Sequence, residues 1–206
     1  MFKLMSKAVI SVVLMLVAFG AAQAAPQIGQ PAPDFEAVDT QGVVHQLSDF
    51  AGQTVILEWT NHDCPFVVKH YGAGNMQDQQ RMAREQHDAV WLTIISSAPN
   101  TQGHVSPEQA DALTASRDAF PTAVLLDEEG IVGRAYDARV TPHMYIIDGD
   151  GILQYMGAID SNPSANPADI PSATQYVVEA LTAMAAGEAI AQTVTRPYGC
   201  TVKYVD

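Results

Sequence analysis

The sequence predicts an α/β domain in which a central mixed sheet carries helices on both faces. Residues 54–60 and 89–96 are nearly continuous apolar runs rich in Val, Ile, Leu and Trp, with the length and branching of buried central strands. A helix-start signal follows each run: Pro65 after the first, and Ser106-Pro107-Glu108-Gln109 after the second. Strand, helix, strand, helix, then turn-punctuated strand pairs and a last helix is an order that only a mixed sheet accommodates.

The elements follow in sequence. Pro31-Ala32-Pro33 opens the domain in extended conformation, and residues 35–47 alternate around Asp39-Thr40-Gln41-Gly42 as a hairpin. Gly72-Ala73-Gly74 interrupts the helix that starts at Pro65, and Asn75 is the expected cap of a restart running to about His87. The helix opened by Ser106 is expected to end near Ala119. Residues 122–126 and 131–136, joined by Asp127-Glu128-Glu129-Gly130, are expected to form a second hairpin. Residues 143–147 and 152–156, joined by Asp148-Gly149-Asp150-Gly151, are expected to form a third. That Asp-Gly repeat lacks the remainder of a calcium loop and reads as a turn. Residues 158–171 are polar and proline-rich, hence loop. Residues 171–186 fit a final helix with Tyr176, Val177, Ala180, Leu181 and Met184 on one face. A tail begins at about residue 190.

The first 24 residues carry Lys3 and Lys7, an apolar run over 8–19 and the small-x-small site Ala22-Gln23-Ala24. This is the order of a cleaved secretory signal. The run is shorter than the roughly 20 residues a membrane span needs. The expected mature chain is therefore one exported domain, residues 25–206, in a periplasm and free of the membrane once cleaved. Roughly 180 residues suffice for one core. The formal charge of −13 opposes binding to nucleic acid or anionic lipid.

The chemistry gathers around two cysteines, Cys64 and Cys200. Cys64 lies where the first buried strand meets a helix N-terminus. The opening N–H groups there lack intrahelical partners and carry partial positive charge, which favours a thiolate and lowers the cysteine pKa. His62 stands two residues away, able to add positive charge or accept a proton. A reactive thiol is the functional reading; half of a structural disulfide, or an inert buried thiol, is the bland one. Glu58, in an apolar strand, would have a raised pKa and could shuttle a proton, unless it reaches solvent at the sheet end. An oxidising compartment permits a Cys64–Cys200 pair, either static or redox-active, provided the tail folds back. Arg196 reads as a solvated charge. Cys64, His62, His70 and His143 form a weaker copper-ligand set.

Glu58-Trp59-Thr60-Asn61-His62-Asp63-Cys64-Pro65-Phe66-Val67 resembles the active-site segment of thioredoxin-fold redoxins. The most similar group is the peroxiredoxin-like part of the alkyl hydroperoxide reductase/thiol-specific antioxidant (AhpC/TSA) superfamily. Val140-Thr141-Pro142-His143, Tyr198-Gly199-Cys200, Gly29-Gln30-Pro31-Ala32-Pro33-Asp34-Phe35 and Leu47-Ser48-Asp49-Phe50-Ala51-Gly52 resemble it too. The resemblance implies a thioredoxin-like fold with a cis Pro142 facing Cys64. It also places Glu58 where thioredoxins hold a buried acid. Two departures stand out. Val67 occupies the position of the second thioredoxin cysteine. Leu57 and Asn61 occupy the positions where typical peroxiredoxins place Pro and Thr or Ser.

The sequence thus predicts an exported thiol oxidoreductase that needs no cofactor and no metal. Cys64, Cys200, Glu58 and Pro142 are its catalytic residues, and Thr141, Asn61, His62 and Pro65 its substrate contacts. The expected partners are a thiol reductant, protein or small molecule, and either a peroxide or a protein disulfide. A non-catalytic binding module with a static Cys64–Cys200 bridge, and a copper-binding module, are the alternatives.

Overall fold

The computed structural model describes residues 25–205, so the expected signal segment lies outside the described residues. Strands β1 (Glu36–Asp39) and β2 (Val44–Gln46) form the expected first hairpin. Strand β3 (Val55–Trp59) leads into helix α1 (Pro65–Gly72), followed by α2 (Asn75–His87), β4 (Val90–Ile95), α3 (Pro107–Ser116) and β5 (Ala123–Leu126). A short helix α4 (Ile131–Ala135) precedes β6 (Val140–Thr141), β7 (His143–Ile147) and β8 (Leu153–Gly157); α5 (Tyr176–Ala186) and β9 (Cys200–Thr201) complete the order.

Seven strands form one sheet in the order β2-β1-β5-β4-β3-β7-β8. The centre, β3, β4 and β5, is parallel, and the flanking pairings are antiparallel, which makes the sheet mixed as expected. Side chains alternate across it with period two. Leu57 and Trp59 enter one core with Leu92, Ile94, Tyr136 and Tyr145. Ile56 enters the other, with Trp91, Met144 and Ile146, beneath α1, α2 and α5. Helix α3 covers Ile95 and Val124. Each large apolar side chain buried in this way contributes about 1.5–3 kcal/mol. No helix among the described residues is long and apolar enough to cross a membrane.

Four local expectations change. Residues 131–136 were expected as a strand and instead begin with helix α4, while β5 pairs with β4 and β1. Asp127 causes this: its carboxylate accepts the N–H groups of Val132 (3.1 Å) and Gly133 (2.9 Å), orphan donors of a helix start, and Gly130 takes the positive φ of 70° that turns the chain. The cap of α2 is Gly74, not Asn75. Pro171 belongs to a 3-10 turn, Pro167–Ser172, and α5 starts only at Tyr176, with Val177, Ala180 and Leu181 buried as expected. Helix α3 stops at Ser116, and its capping box forms: Gln109 N–H donates to Ser106 Oγ and Ser106 N–H to Gln109 Oε1.

Candidate active site

The β3–α1 turn is built by Asn61. Its backbone carbonyl accepts Cys64 N–H (3.0 Å), its Oδ1 accepts Asp63 N–H (3.0 Å), and its amide donates to Gln102 O (3.2 Å). Gly103 lies so close that a Cβ there would sit 2.5 Å from Asn61 Cγ. Cys64 is thereby set as the N-cap residue of α1, with Pro65 at the first helical position. His62 points to Asp63 (3.4 Å), and its carbonyl accepts a hydrogen bond from Arg117 (3.3 Å). Asn61, His62 and Pro65 thus shape the turn.

Cys64 is buried, with no exposed surface. Its thiol donates to Thr141 O (3.1 Å), and the Thr141–Pro142 peptide is cis. The tail crosses this point. Strand β9 pairs antiparallel with β6 in the register Thr141↔Cys200 and Val140↔Thr201. Cys200 N–H donates to Cys64 Sγ (3.4 Å). Both cysteines are free thiols, and Cys200 is half-buried. Burial pushes the Cys64 thiol up, but hydrogen bonds from the Cys200 thiol, the Val67 and Cys200 N–H groups and Thr141 more than offset it, leaving the pKa below its ordinary value. Burial and its hydrogen bond to Cys64 push Cys200 up to about 11. Of two adjacent sulfurs, Cys64 is the better thiolate and Cys200 the more accessible.

Glu58 is buried on the α1 side of β3, not at a solvent-facing sheet end. Its carboxylate accepts from Tyr71 OH (2.8 Å), Trp91 Nε1 (2.9 Å), Thr93 Oγ1 (3.1 Å) and Gln80 Nε2 (3.3 Å). Burial raises its pKa above the ordinary value against the pull of these four donors. No hydrogen bond joins Glu58 to either sulfur. A cavity of about 30 Å³, bounded in part by Thr60, Tyr71, Thr93 and Arg117, lies beside its partners.

A sequence model of the AhpC/TSA family matches residues 28–156. The chain belongs to the AhpC/TSA family. Solved structures agree on a thioredoxin-like fold. An uncharacterized conserved protein from Geobacillus kaustophilus is 24% identical, with a TM-score of 0.71 over 87% of this chain and 93% of that one. A hypothetical protein from Sinorhizobium meliloti 1021 is 22% identical, with a TM-score of 0.70 over 88% and 97%. A putative thiol:disulfide interchange protein DsbE from Chlorobium tepidum is 20% identical, with a TM-score of 0.51 over 64% and 85%. No functionally curated protein matches.

The family match contains Cys64, Glu58 and Pro142 but ends before Cys200. Beyond it lies a cluster that sequence reasoning missed. Lys69 and Asp160 are both fully buried and paired at 3.1 Å. Lys69 also donates to Asn162 O (3.0 Å), and Tyr198 OH donates to Asp160. Asn75 donates to His70 Nδ1 (2.8 Å), which leaves His70 Nε2 to donate to Tyr198 OH (3.2 Å). Burial holds the His70 pKa down at about 4, so this neutral tautomer persists. His143 is likewise lowered to about 4 by burial and sits against Tyr145 OH (3.2 Å). Among the described residues no group of three or more His, Cys, Asp or Glu is placed to hold a metal ion.

Proposed function

We propose that this protein is a thiol–disulfide oxidoreductase whose working pair is Cys64 and Cys200, acting after export. One observation carries the reading: the tail lays Cys200 on Cys64, N–H to sulfur at 3.4 Å, beside the cis Thr141–Pro142 bond. An inert thiol has no need of a second sulfur, a helix N-terminus and a lowered pKa at one point. The order of the first 24 residues supports export to a periplasm, where such a pair meets oxidants.

In the oxidised form Cys64 and Cys200 share a disulfide. An external thiolate attacks Cys200 Sγ, forming a mixed disulfide there and releasing Cys64 as the stabilised thiolate. A second thiolate attacks the external sulfur, releasing Cys200 and one molecule of external disulfide. Two thiols thus give two electrons, and their protons pass to the protein sulfurs or to water. The reverse sequence oxidises the pair. Glu58, a buried acid on the α1 side whose pKa is raised by burial, is the proposed proton reservoir for these steps. Thr141 supplies the carbonyl that holds the Cys64 thiol and, with His62 and Pro65, the rim an external sulfur meets.

A peroxide reading draws on family membership. In it Cys64 sulfur attacks the peroxide, becomes a sulfenic acid, and Cys200 displaces water to close the disulfide. Asn61, in the position of the peroxiredoxin Thr or Ser, uses its side chain to hold the turn, which favours exchange as the first reading.

The test is equilibration in glutathione redox buffers, acid quenching and disulfide mapping by mass spectrometry. A Cys64–Cys200 disulfide should form in wild type and be absent from Cys64→Ser and Cys200→Ser. Two free thiols persisting under oxidising buffer would defeat the reading. Peroxide consumption with a thiol reductant, lost in Cys64→Ser, would install the peroxidase in its place.

A further inference from the structure

The buried cluster around Asp160 joins both cysteine-bearing segments. Lys69 is on α1, five residues beyond Cys64, and Tyr198 is in the tail, two residues before Cys200. Asp160 stands between them, one oxygen on Lys69 and the other on Tyr198 OH and Asn162 N–H (3.0 Å). Burying an ion pair costs several kcal/mol of hydration per charge, so such pairs are weak devices for stability alone. They are better suited to fixing one arrangement, and here what they fix is the tail.

Tail and edge fit at close range. A Cβ at Gly199 would lie 1.9 Å from Thr141 O, and its φ of 140° suits glycine alone. Upstream, Met156 N–H donates to Thr193 O (3.0 Å) and Thr195 N–H to Met156 O (3.1 Å). Downstream, Val202 N–H donates to Arg139 O (3.0 Å) and Ala98 N–H to Lys203 O (2.8 Å). The backbone edge at residues 140–141 would otherwise be free to pair with an extended chain. With β9 on that edge, the surface of Cys64 is closed.

We propose that Lys69, Asp160, Tyr198 and Gly199 are positioning residues that dock β9 on the cis-proline edge, set Cys200 on Cys64 and confine Cys64 to that partner. This rests on the dithiol reading above. A polypeptide sulfur reaches Cys64 only when residues 198–201 lift from the edge, whereas Cys200 is addressable with the tail in place.

Pulse alkylation of the reduced, native full chain with iodoacetamide, resolved by cysteine in a mass spectrometer, tests this without turnover. In wild type, Cys64 should label far more slowly than a short unstructured cysteine peptide, despite its lower pKa. Tyr198→Phe removes the hydroxyl from Asp160 and should raise the Cys64 rate about tenfold or more, as loss of a hydrogen bond to a charged group implies. Gly199→Ala, which drives a methyl into Thr141 O, should do the same and serves if the first variant does not fold. Ser106→Ala, a helix-cap loss remote from the tail, lowers global stability and should leave the Cys64 rate unchanged. Cys64 labelling in wild type at the peptide rate, or equal rates in wild type and both tail variants, would overturn the proposal. Because the readout needs no disulfide, protection of Cys64 in a protein that never oxidises would instead count against the functional reading alone.

Discussion

Two carboxylates are buried near α1, and the protein treats them in opposite ways. Asp160 has a cation, Lys69, at 3.1 Å, and carries the tail on its other oxygen. Glu58 has only neutral donors, the side chains of Tyr71, Gln80, Trp91 and Thr93. A carboxylate held by an ammonium on one oxygen and a tail hydroxyl on the other works as a fixed anchor. One surrounded by neutral donors has its pKa raised by burial above the ordinary value, which favours its protonated form. The difference separates a carboxylate that holds the tail from one whose pKa is raised by burial.

Lys69→Met should break the comparison most severely. It strands a charge on Asp160 in the interior, and urea denaturation should report a loss of about 3–5 kcal/mol. Lys69→Met combined with Asp160→Leu should recover much of that loss, because the stranded charge is gone; a double variant no better than the single would show the damage to be steric.

Trp91→Phe comes next. It removes one donor from Glu58 while keeping most of the aromatic packing, and should cost about 1.5–3 kcal/mol at pH 7. Its pH-stability profile should move to higher pH, since a lost donor favours the protonated acid. A profile unchanged from wild type would separate Glu58 from titration.

Glu58→Gln sharpens the contrast further. The folded pKa of Glu58 is raised, so the stability linked to its protonated form is complete below the unfolded value near 4.5 and is lost as pH rises through the folded pKa. Wild type should therefore weaken relative to Glu58→Gln across that window, with a slope approaching about 1.4 kcal/mol per pH unit while the acid titrates. The glutamine fits: Tyr71 OH, sole partner of Oε1, can turn to accept. Parallel profiles would show the carboxyl already ionised.

The smallest change is expected from Ser106→Ala, about 1 kcal/mol in the same denaturation assay. Ser106 touches neither buried carboxylate; its hydroxyl donates to the exposed Glu108 (2.8 Å) and lowers that carboxyl's pKa, so any change in pH dependence should be confined to the acid range.

These two clusters also mark where sequence is informative. Strands β3 and β4 were readable because nearly continuous apolar runs of seven and eight residues leave few other solutions, and the capping box at Ser106 because its partners are three residues apart. Glu58 was readable as a buried acid from its strand, but not its partners, which come from α1, α2 and β4. Lys69 was not readable at all: its partner is 91 positions away, in a segment whose prolines and polar residues suggest only a loop. The strand expected at residues 131–136 failed for a related reason. Asp127 looks like a turn residue, and only its contacts reveal it as the carboxylate that starts a helix.

Tyr204 gives the tail its stopping point. Its ring fills the space that a Cβ at Gly130 or Gly133 would need, and its hydroxyl donates to Ala138 O (2.6 Å). Because neighbouring side chains on an extended chain point to opposite sides, a slip of one residue would turn Cys200 away from its partner sulfur. An aromatic ring in a slot cut by two glycines thus works as an index pin, and whether Cys200 faces Cys64 is decided four residues away.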